Sequence, residues 1–212
     1  PLINMFYFMR VPIVEKPEAP ISQTARELFT NRDFWIFAVV MLCAGASEIT
    51  MAEWASLFSQ KALGCSKTVG DLLGPCAFAI FMGLGRIIFG IFDGKFNPKH
   101  ALIINNILCA LCYITVAVCG SPALSLIACA LCGFSVCLSW PGTYSMAAKH
   151  FKSGYTLMFS ILALCGDFGC SIGPWIMGIV ADNSSLQSGF LISALFPIVM
   201  IFAAFLLKEE KH

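Results

Sequence analysis

The sequence predicts an all-α membrane protein, a bundle of six transmembrane helices, from three observations. Hydrophobic residues make up 58% of its 212 residues and charged residues only 12%, with a mean hydropathy of +0.83. A water-soluble domain of that composition would lack the polar surface to cover itself. Six apolar stretches follow one another, each long enough to cross roughly 30 Å of hydrocarbon as a helix. Lysine and arginine gather at the ends of these stretches rather than in a patch.

The chain divides into four predicted parts. Residues 1–9, PLINMFYFM, are expected to be the end of a preceding transmembrane helix, and residues 10–33 a proline-containing cytoplasmic linker. Residues 34–207 are the predicted six-helix bundle, and residues 208–212 a cytoplasmic tail. Because the sequence opens on Pro-Leu-Ile without a start methionine or a cleavage site, we expect a fragment of a longer protein.

The apolar stretches predict spans at 34–57, 69–92, 101–119, 122–148, 156–181 and 189–207. The connections between them are short, so consecutive helices are expected to be antiparallel neighbours. The fourth stretch contains Pro141-Gly142, where the missing N–H and the flexible glycine predict a kink.

The distribution of positive charge predicts the orientation. If the linker is cytoplasmic, eleven lysines and arginines lie on the inner side, and only Lys61 and Lys67 on the outer side. Loops rich in lysine and arginine stay in the cytoplasm. We therefore expect a multi-pass protein with both ends cytoplasmic.

Two acids, Glu48 and Glu53, lie inside the first span. An ionised carboxylate at the centre of the bilayer costs at least about 2.5 kcal/mol, so acids there usually serve an ion, a proton or a substrate. The helical neighbours of Glu48 are all small: Ala44, Gly45, Ala52 and Ala55. Glu48 is therefore expected to point into the bundle, for ion or substrate handling or for a structural hydrogen bond. Glu53, nearer the outer end, is expected at a hydrated mouth.

A third acid, Asp167, lies near the centre of the fifth span. It is surrounded by glycines that would let helix backbones approach closely, and Pro174 follows. Two interpretations remain open for Asp167, a binding group or a cap on a helix kink.

The end of the second span, GLGRIIFGIFDGKFNPKH, carries Arg86, Asp93 and Lys95 at the predicted cytoplasmic face. Charge-assisted bonds across the hairpin could hold one conformation of a rocking bundle, and Asn105 and Asn106 could join them. We predict a gate or packing element here, with a surface charge cluster as the alternative. The glycine spacing does not match a nucleotide-binding loop.

Other chemistry finds little support. Cys109-x2-Cys112 and Cys129-x2-Cys132 have nearly zinc-ribbon spacing, but their apolar surroundings offer no polar groups to orient metal ligands, so no metal is expected. Neither a Ser-His-Asp pattern nor H-E-x-x-H is present, so we expect no enzyme activity and no cofactor. The expected partners are the lipid bilayer, a small solute and protons, and not nucleic acid.

This organisation resembles the C-terminal half of a major facilitator superfamily transporter. The resemblance covers residues 34–207, and residues 1–33 are similar to the end of its sixth helix and its central loop. The superfamily loop motif is G-x-x-x-D-[RK]-x-G-x-[RK], of which Gly90, Asp93 and Lys99 match the glycine, the aspartate and the last basic position. Gly94 replaces the base after the aspartate, and Lys95 is hypothesised to act for it.

Two of the predicted helices resemble helices of a narrower group within the superfamily. SWPGTYSMA at 139–147 resembles the FPT-containing helices of the fucose permease group of sugar:proton symporters, and ASEITMAEWASLF at 46–58 is similar to the seventh helix of bacterial proteins of that group. The resemblance implies alternating access, with the site at the midplane between this half and a missing N-terminal half. It also implies a location in the bacterial inner membrane.

The sequence thus predicts half of a secondary transporter for a sugar or similarly polar solute, coupled to protons. Glu48 and Asp167 would line the cavity, with Trp54, Trp140 and Tyr144 as stacking partners for a sugar ring. The alternatives left open are an efflux transporter for amphipathic compounds and a membrane scaffold or sensor that transports nothing.

Overall fold

The computed structural model describes residues 2–12, 25–61, 64–92, 97–151 and 155–207, and these form helices joined by short connections. Two short helices, Leu2–Phe8 and Ala25–Thr30, precede the bundle. Six longer helices follow, which we number as spans one to six: Arg32–Lys61, Lys67–Ile91, Pro98–Val118, Pro122–His150, Thr156–Asn183 and Leu186–Leu206. The all-α class and the six spans are confirmed. The linker residues 13–24 and the tail 208–212 lie outside the described residues, so the predicted division into four parts stays a prediction.

Span one begins two residues before its predicted start because a polar cap precedes it. The side-chain oxygen of Asn31 accepts a hydrogen bond from the backbone N–H of Asp33 at 2.9 Å. This satisfies one of the donors that the first helical turn leaves without an intrahelical acceptor. A hydropathy pattern does not detect such a cap, because Asn31 and Asp33 are both polar.

Span two contains an irregular turn that the sequence analysis missed. Residues Leu72–Cys76 form a π-helical segment that includes Pro75. Proline has no N–H to donate and its ring obstructs the preceding turn, so a widened turn accommodates it. Gly74 in this segment lies against Ala55 of span one.

The interruption in span four lies earlier than predicted. The first segment ends at Val136, Cys137 and Leu138 form a turn, and the second segment runs from Ser139 to His150. Pro141 is therefore in the first turn of the second segment, where its missing N–H costs nothing. Gly142 already donates a helical hydrogen bond to the Leu138 carbonyl at 2.8 Å.

The packing of the spans corrects the expectation that all consecutive helices are neighbours. Spans three and four pack together, as do spans five and six, whereas spans two and three do not pack along their length. Span one contacts span two mainly at its Lys67–Cys76 end and packs instead along span five. Only two or three residues connect the neighbouring pairs, whereas five or six residues separate the others. A connection of six residues can reach about 20 Å, far enough to pass an intervening helix.

Spans one and four are joined at the predicted cytoplasmic side by a contact between a histidine and a carboxylate that was not predicted from the sequence. His150 Nε2 lies 2.9 Å from Asp33 Oδ2, and about a quarter of each side chain is exposed. The rings of Phe37 and Phe151 pack on the imidazole, with centroids 5.9 and 5.0 Å away. The pair links the start of one span to the end of another.

We expect this pair to show measurable coupling in a double-mutant cycle. Asp33→Asn and His150→Gln, singly and together, should give a coupling energy of about 1 to 2 kcal/mol, because the partly buried geometry limits screening by water. The measurement is the thermal stability of the purified protein in detergent. In a control cycle Lys149→Gln replaces His150→Gln, and its effect should add to that of Asp33→Asn. Additivity in both cycles would show that the Asp33–His150 contact contributes nothing to stability.

Candidate functional site

Glu48 lies inside the bundle in the middle of span one. Its side chain is 14% exposed, and Oε1 is 4.0 Å from Nη2 of Arg86 in span two. The other oxygen, Oε2, is buried and has no hydrogen-bond partner among the described residues. Glu48 is thus a mostly buried carboxyl with one distant cationic partner and one unsatisfied oxygen.

Arg86 reaches Glu48 because its side chain turns back along span two. Its Nη2 also lies 3.6 Å from the sulfur of Met82, one turn closer to the start of the helix. Side chains on a helix tilt toward its N-terminus, which here carries the guanidinium toward the middle of the bundle. About half of the Arg86 side chain is exposed. The contacts predicted for Arg86 with Asp93 and Lys95 fall on residues 93–96, outside the described residues.

Asp167 and Glu53 are both exposed on the surface of the bundle, unlike Glu48. Cys170 of span five packs against Gly45 of span one, one turn before Glu48, and Asp167 lies one turn before Cys170 on its own helix. Span five is one helix from Tyr155 to Asn183 with Pro174 inside it, so both interpretations of Asp167 stay open. Exposed carboxylates within a membrane span are expensive against lipid, so this surface is suited to a water-filled cavity.

Two of the three predicted aromatic residues lie together. The rings of Trp140 and Tyr144 are 6.4 Å apart. The Trp140 ring packs on Gly166, whereas Trp54 packs on Gly178 of the same helix. Gly166 and Gly178 are twelve residues apart, which is about 18 Å along a helix. A single sugar ring could therefore not stack on both Trp54 and Trp140.

The remaining predicted gate residues have separate surroundings. Lys99 Nζ donates a hydrogen bond to the carbonyl of Leu207 at 2.6 Å, which ties span three to the end of span six. Gly90 is exposed near the end of span two. Asn105 and Asn106 are buried inside span three, and Asn106 donates to the Leu102 carbonyl at 2.9 Å rather than to a charged group. Asp93 and Lys95, the central residues of the predicted gate, lie outside the described residues, so the gate stays a prediction.

The cysteine pairs of spans three and four lie close together. Cys109 Sγ and Cys132 Sγ are 3.8 Å apart and both are buried. Within the described ranges, no group of three or more histidine, cysteine, aspartate or glutamate side chains has a geometry that could hold a metal ion. These thiols pack as small hydrophobic groups.

Tyr113 was not among the residues predicted to matter. Its side chain is fully buried in span three, and its hydroxyl donates to the backbone carbonyl of Ser47 at 2.7 Å. A phenol in the otherwise apolar run CALCYITVAV was the available signal, because a buried tyrosine hydroxyl usually finds a partner.

Comparison with known proteins gives consistent results. The family model described as Major Facilitator Superfamily matches residues 2–154 and 76–212. Among curated proteins, the membrane protein MosC of Rhizobium meliloti is 25% identical over 161 residues, which are 76% of this chain and 39% of MosC.

Solved structures share the fold at low sequence identity. A crystal structure of the major facilitator superfamily transporter FucP in the outward conformation has a TM-score of 0.83 and 16% identity, over 99% of this chain and 52% of FucP. A second structure, described as the E. coli fucose:proton symporter FucP, has the same score and identity. A bacterial homolog of the human lysosomal transporter Spinster, inward-facing and unoccupied, has a TM-score of 0.65 and 12% identity, over 97% of this chain and 56% of its own. The chain spans about half of the length of the proteins in these structures, and it spans less than half of the length of MosC.

Proposed function

Because this chain belongs to the major facilitator superfamily, we propose that it forms one half of a secondary transporter that moves a small polar solute, with sugars the first class to test, by proton-coupled symport. A second six-helix half would complete the path, since the chain corresponds to 52% of FucP. The observation that carries the proposal is the mostly buried Glu48 carboxyl facing Arg86 inside the bundle.

The Glu48–Arg86 pair offers a simple route to coupling. Protonation of Glu48 removes its negative charge and weakens its attraction for the Arg86 guanidinium. A solute hydroxyl or carboxylate that accepts a hydrogen bond from the guanidinium also competes with Glu48. Proton binding and solute binding would then both favour the separated pair, so each would favour the other by linkage.

The surroundings of the pair suit a polar solute with one apolar face. Trp140 and Tyr144 present neighbouring rings on which the apolar face of a sugar could stack. The carboxylate of Asp167 is exposed and follows Gly166, on which Trp140 packs, so it could accept hydrogen bonds from hydroxyl groups. FucP, which shares this fold, is a fucose:proton symporter, in keeping with this choice.

The direct test is transport by the complete protein reconstituted in liposomes. An inward proton gradient should drive uptake of at least one radiolabelled sugar from a panel that includes fucose, and a protonophore should abolish that uptake. Liposomes without protein are the blank. Export of amphipathic dyes with no sugar movement would replace the proposal with efflux, and no movement of either class would favour a scaffold or sensor.

A further inference from the structure

Gly166 of span five carries no side chain at the point where the Trp140 ring of span four packs. A Cβ on Gly166 would overlap Cη2 of that ring and would lie 2.9 Å from its Cζ2 and 3.0 Å from its Cζ3. Such distances are shorter than the contacts that Cβ atoms make in folded proteins, so one of the two groups would have to move. The outer edge of the indole therefore occupies the space that a side chain at residue 166 would fill.

The backbone of Gly166 cannot withdraw to make room, because it is packed on span one. Its carbonyl oxygen lies where a Cβ on Gly45 would be, and one turn later Gly169 packs equally closely on the Leu42 carbonyl. Closely packed helix backbones have no free rotation with which to relieve a new contact. A side chain at residue 166 would therefore displace the ring of Trp140 and not the helix of span five.

Span five also fixes the second aromatic ring of the candidate site. The Tyr144 ring, 6.4 Å from that of Trp140, meets the Phe159 ring edge to face with centroids 5.4 Å apart. Trp140 and Tyr144 are both only partly buried, and the exposed Asp167 directly follows Gly166. One helix thus seats both rings and supplies the neighbouring carboxylate, and residue 166 sets where the larger ring lies.

We propose that Gly166 is a positioning residue for solute binding: because it has no Cβ, the Trp140 ring lies against span five, where the apolar face of a sugar stacks on it. This inference rests on the proposed function. A larger residue at position 166 displaces the ring and weakens stacking, whereas it leaves the Glu48–Arg86 pair in place. The affinity for the solute should therefore change without a change in the maximal rate of transport.

The position of the ring can be measured without transport. The complete protein is labelled with 4-fluorotryptophan, whose fluorine is on Cε3 and so not on any of the three packed ring atoms, and loss of a signal in Trp140→Phe identifies the Trp140 resonance. Gly166→Ala should shift that resonance. Gly178→Ala is the matched control on the same helix, since its added Cβ would be 3.3 Å from Cζ2 of Trp54 and requires little movement. It should leave the Trp140 resonance in place. No shift in Gly166→Ala, or an equal shift in Gly178→Ala, would overturn the inference.

The consequence for binding is measured as initial rates of gradient-driven uptake of radiolabelled fucose, or of the best-transported sugar of the panel if another is preferred. Gly166→Ala should raise KM several-fold at an unchanged Vmax per folded protein, the pattern of a lost binding contact, whereas Gly178→Ala should keep the wild-type KM. A wild-type KM in Gly166→Ala, or a fall in Vmax alone, would contradict the proposal.

A double variant shows whether Gly166 acts through Trp140. In the Trp140→Phe background, Gly166→Ala should raise KM no further, because a phenylalanine ring lacks the outer atoms that meet the added Cβ. If Gly166→Ala alone does not fold, this comparison takes its place, and a further rise in KM would overturn the inference. Failure of the proposed function would instead appear as no gradient-driven sugar uptake by the wild type, while the fluorine resonances would still report on the contact between Gly166 and Trp140.

Discussion

Glu48→Gln is expected to reduce proton-driven solute uptake by the complete protein to background. Glutamine keeps the size of the side chain and a carbonyl oxygen toward Arg86, but it can neither carry the charge nor exchange the proton. The coupled cycle should stop, because Arg86 is no longer released by proton binding. Exchange of labelled for unlabelled solute needs no net proton movement, so it should persist. The measurement is the initial rate of uptake and of exchange in the same liposome preparation.

Asp182→Asn provides the control, since it makes the same carboxylate-to-amide change at the exposed end of span five. It should leave both rates at the wild-type level. Gradient-driven uptake that survives in Glu48→Gln would assign Glu48 a structural role and move the proton site elsewhere in the complete protein. Loss of both uptake and exchange would place Glu48 in solute binding rather than in coupling.

The architecture was predictable from sequence because lipid restricts the choices. Backbone groups in the bilayer must be satisfied within the segment, so a long apolar stretch such as 101–119 has to be a helix, observed as Pro98–Val118. The irregularities were not predictable. Pro141 indicates that span four is interrupted nearby, but it does not indicate whether the interruption comes before or after the proline. Pro75 did not predict a π-helical turn in span two.

For the candidate site, features of a single helix were predictable from sequence, but contacts between helices were not. The small residues around Glu48 predicted that it points into the bundle, and its side chain is mostly buried. Its partner could not be predicted, because Arg86 is 38 residues away on a helix whose orientation depends on packing. The same limit applies to Lys99, whose contact with Leu207 joins residues 108 positions apart. In the sequence, charges at the end of a span look like a local cluster, because their contacts with distant parts of the chain are visible only in the folded structure. The functional roles of these residues stay predictions.

Gly169→Ala should have the largest effect on stability among the changes considered. Spans one and five pack so closely here that a Cβ on Gly169 would overlap the carbonyl oxygen of Leu42, with the carbonyl carbon 2.7 Å and the Ala46 nitrogen 3.0 Å away. These are backbone atoms inside a helix, so they cannot rotate aside as a side chain could. Overpacking of this kind costs about 1 to 3 kcal/mol or more, and we expect a clear fall in the melting temperature of the purified protein or a loss of folded protein.

Gly83→Ala is the matched control, because an added Cβ at Gly83 of span two would meet no atom within 4 Å. It should melt like the wild type. Equal melting temperatures for the two variants would mean that spans one and five do not approach each other at Gly169. The stability of Gly169→Ala therefore tests the close packing of span one, which carries Glu48, against span five, which carries Asp167, without any assumption about the solute or the proton.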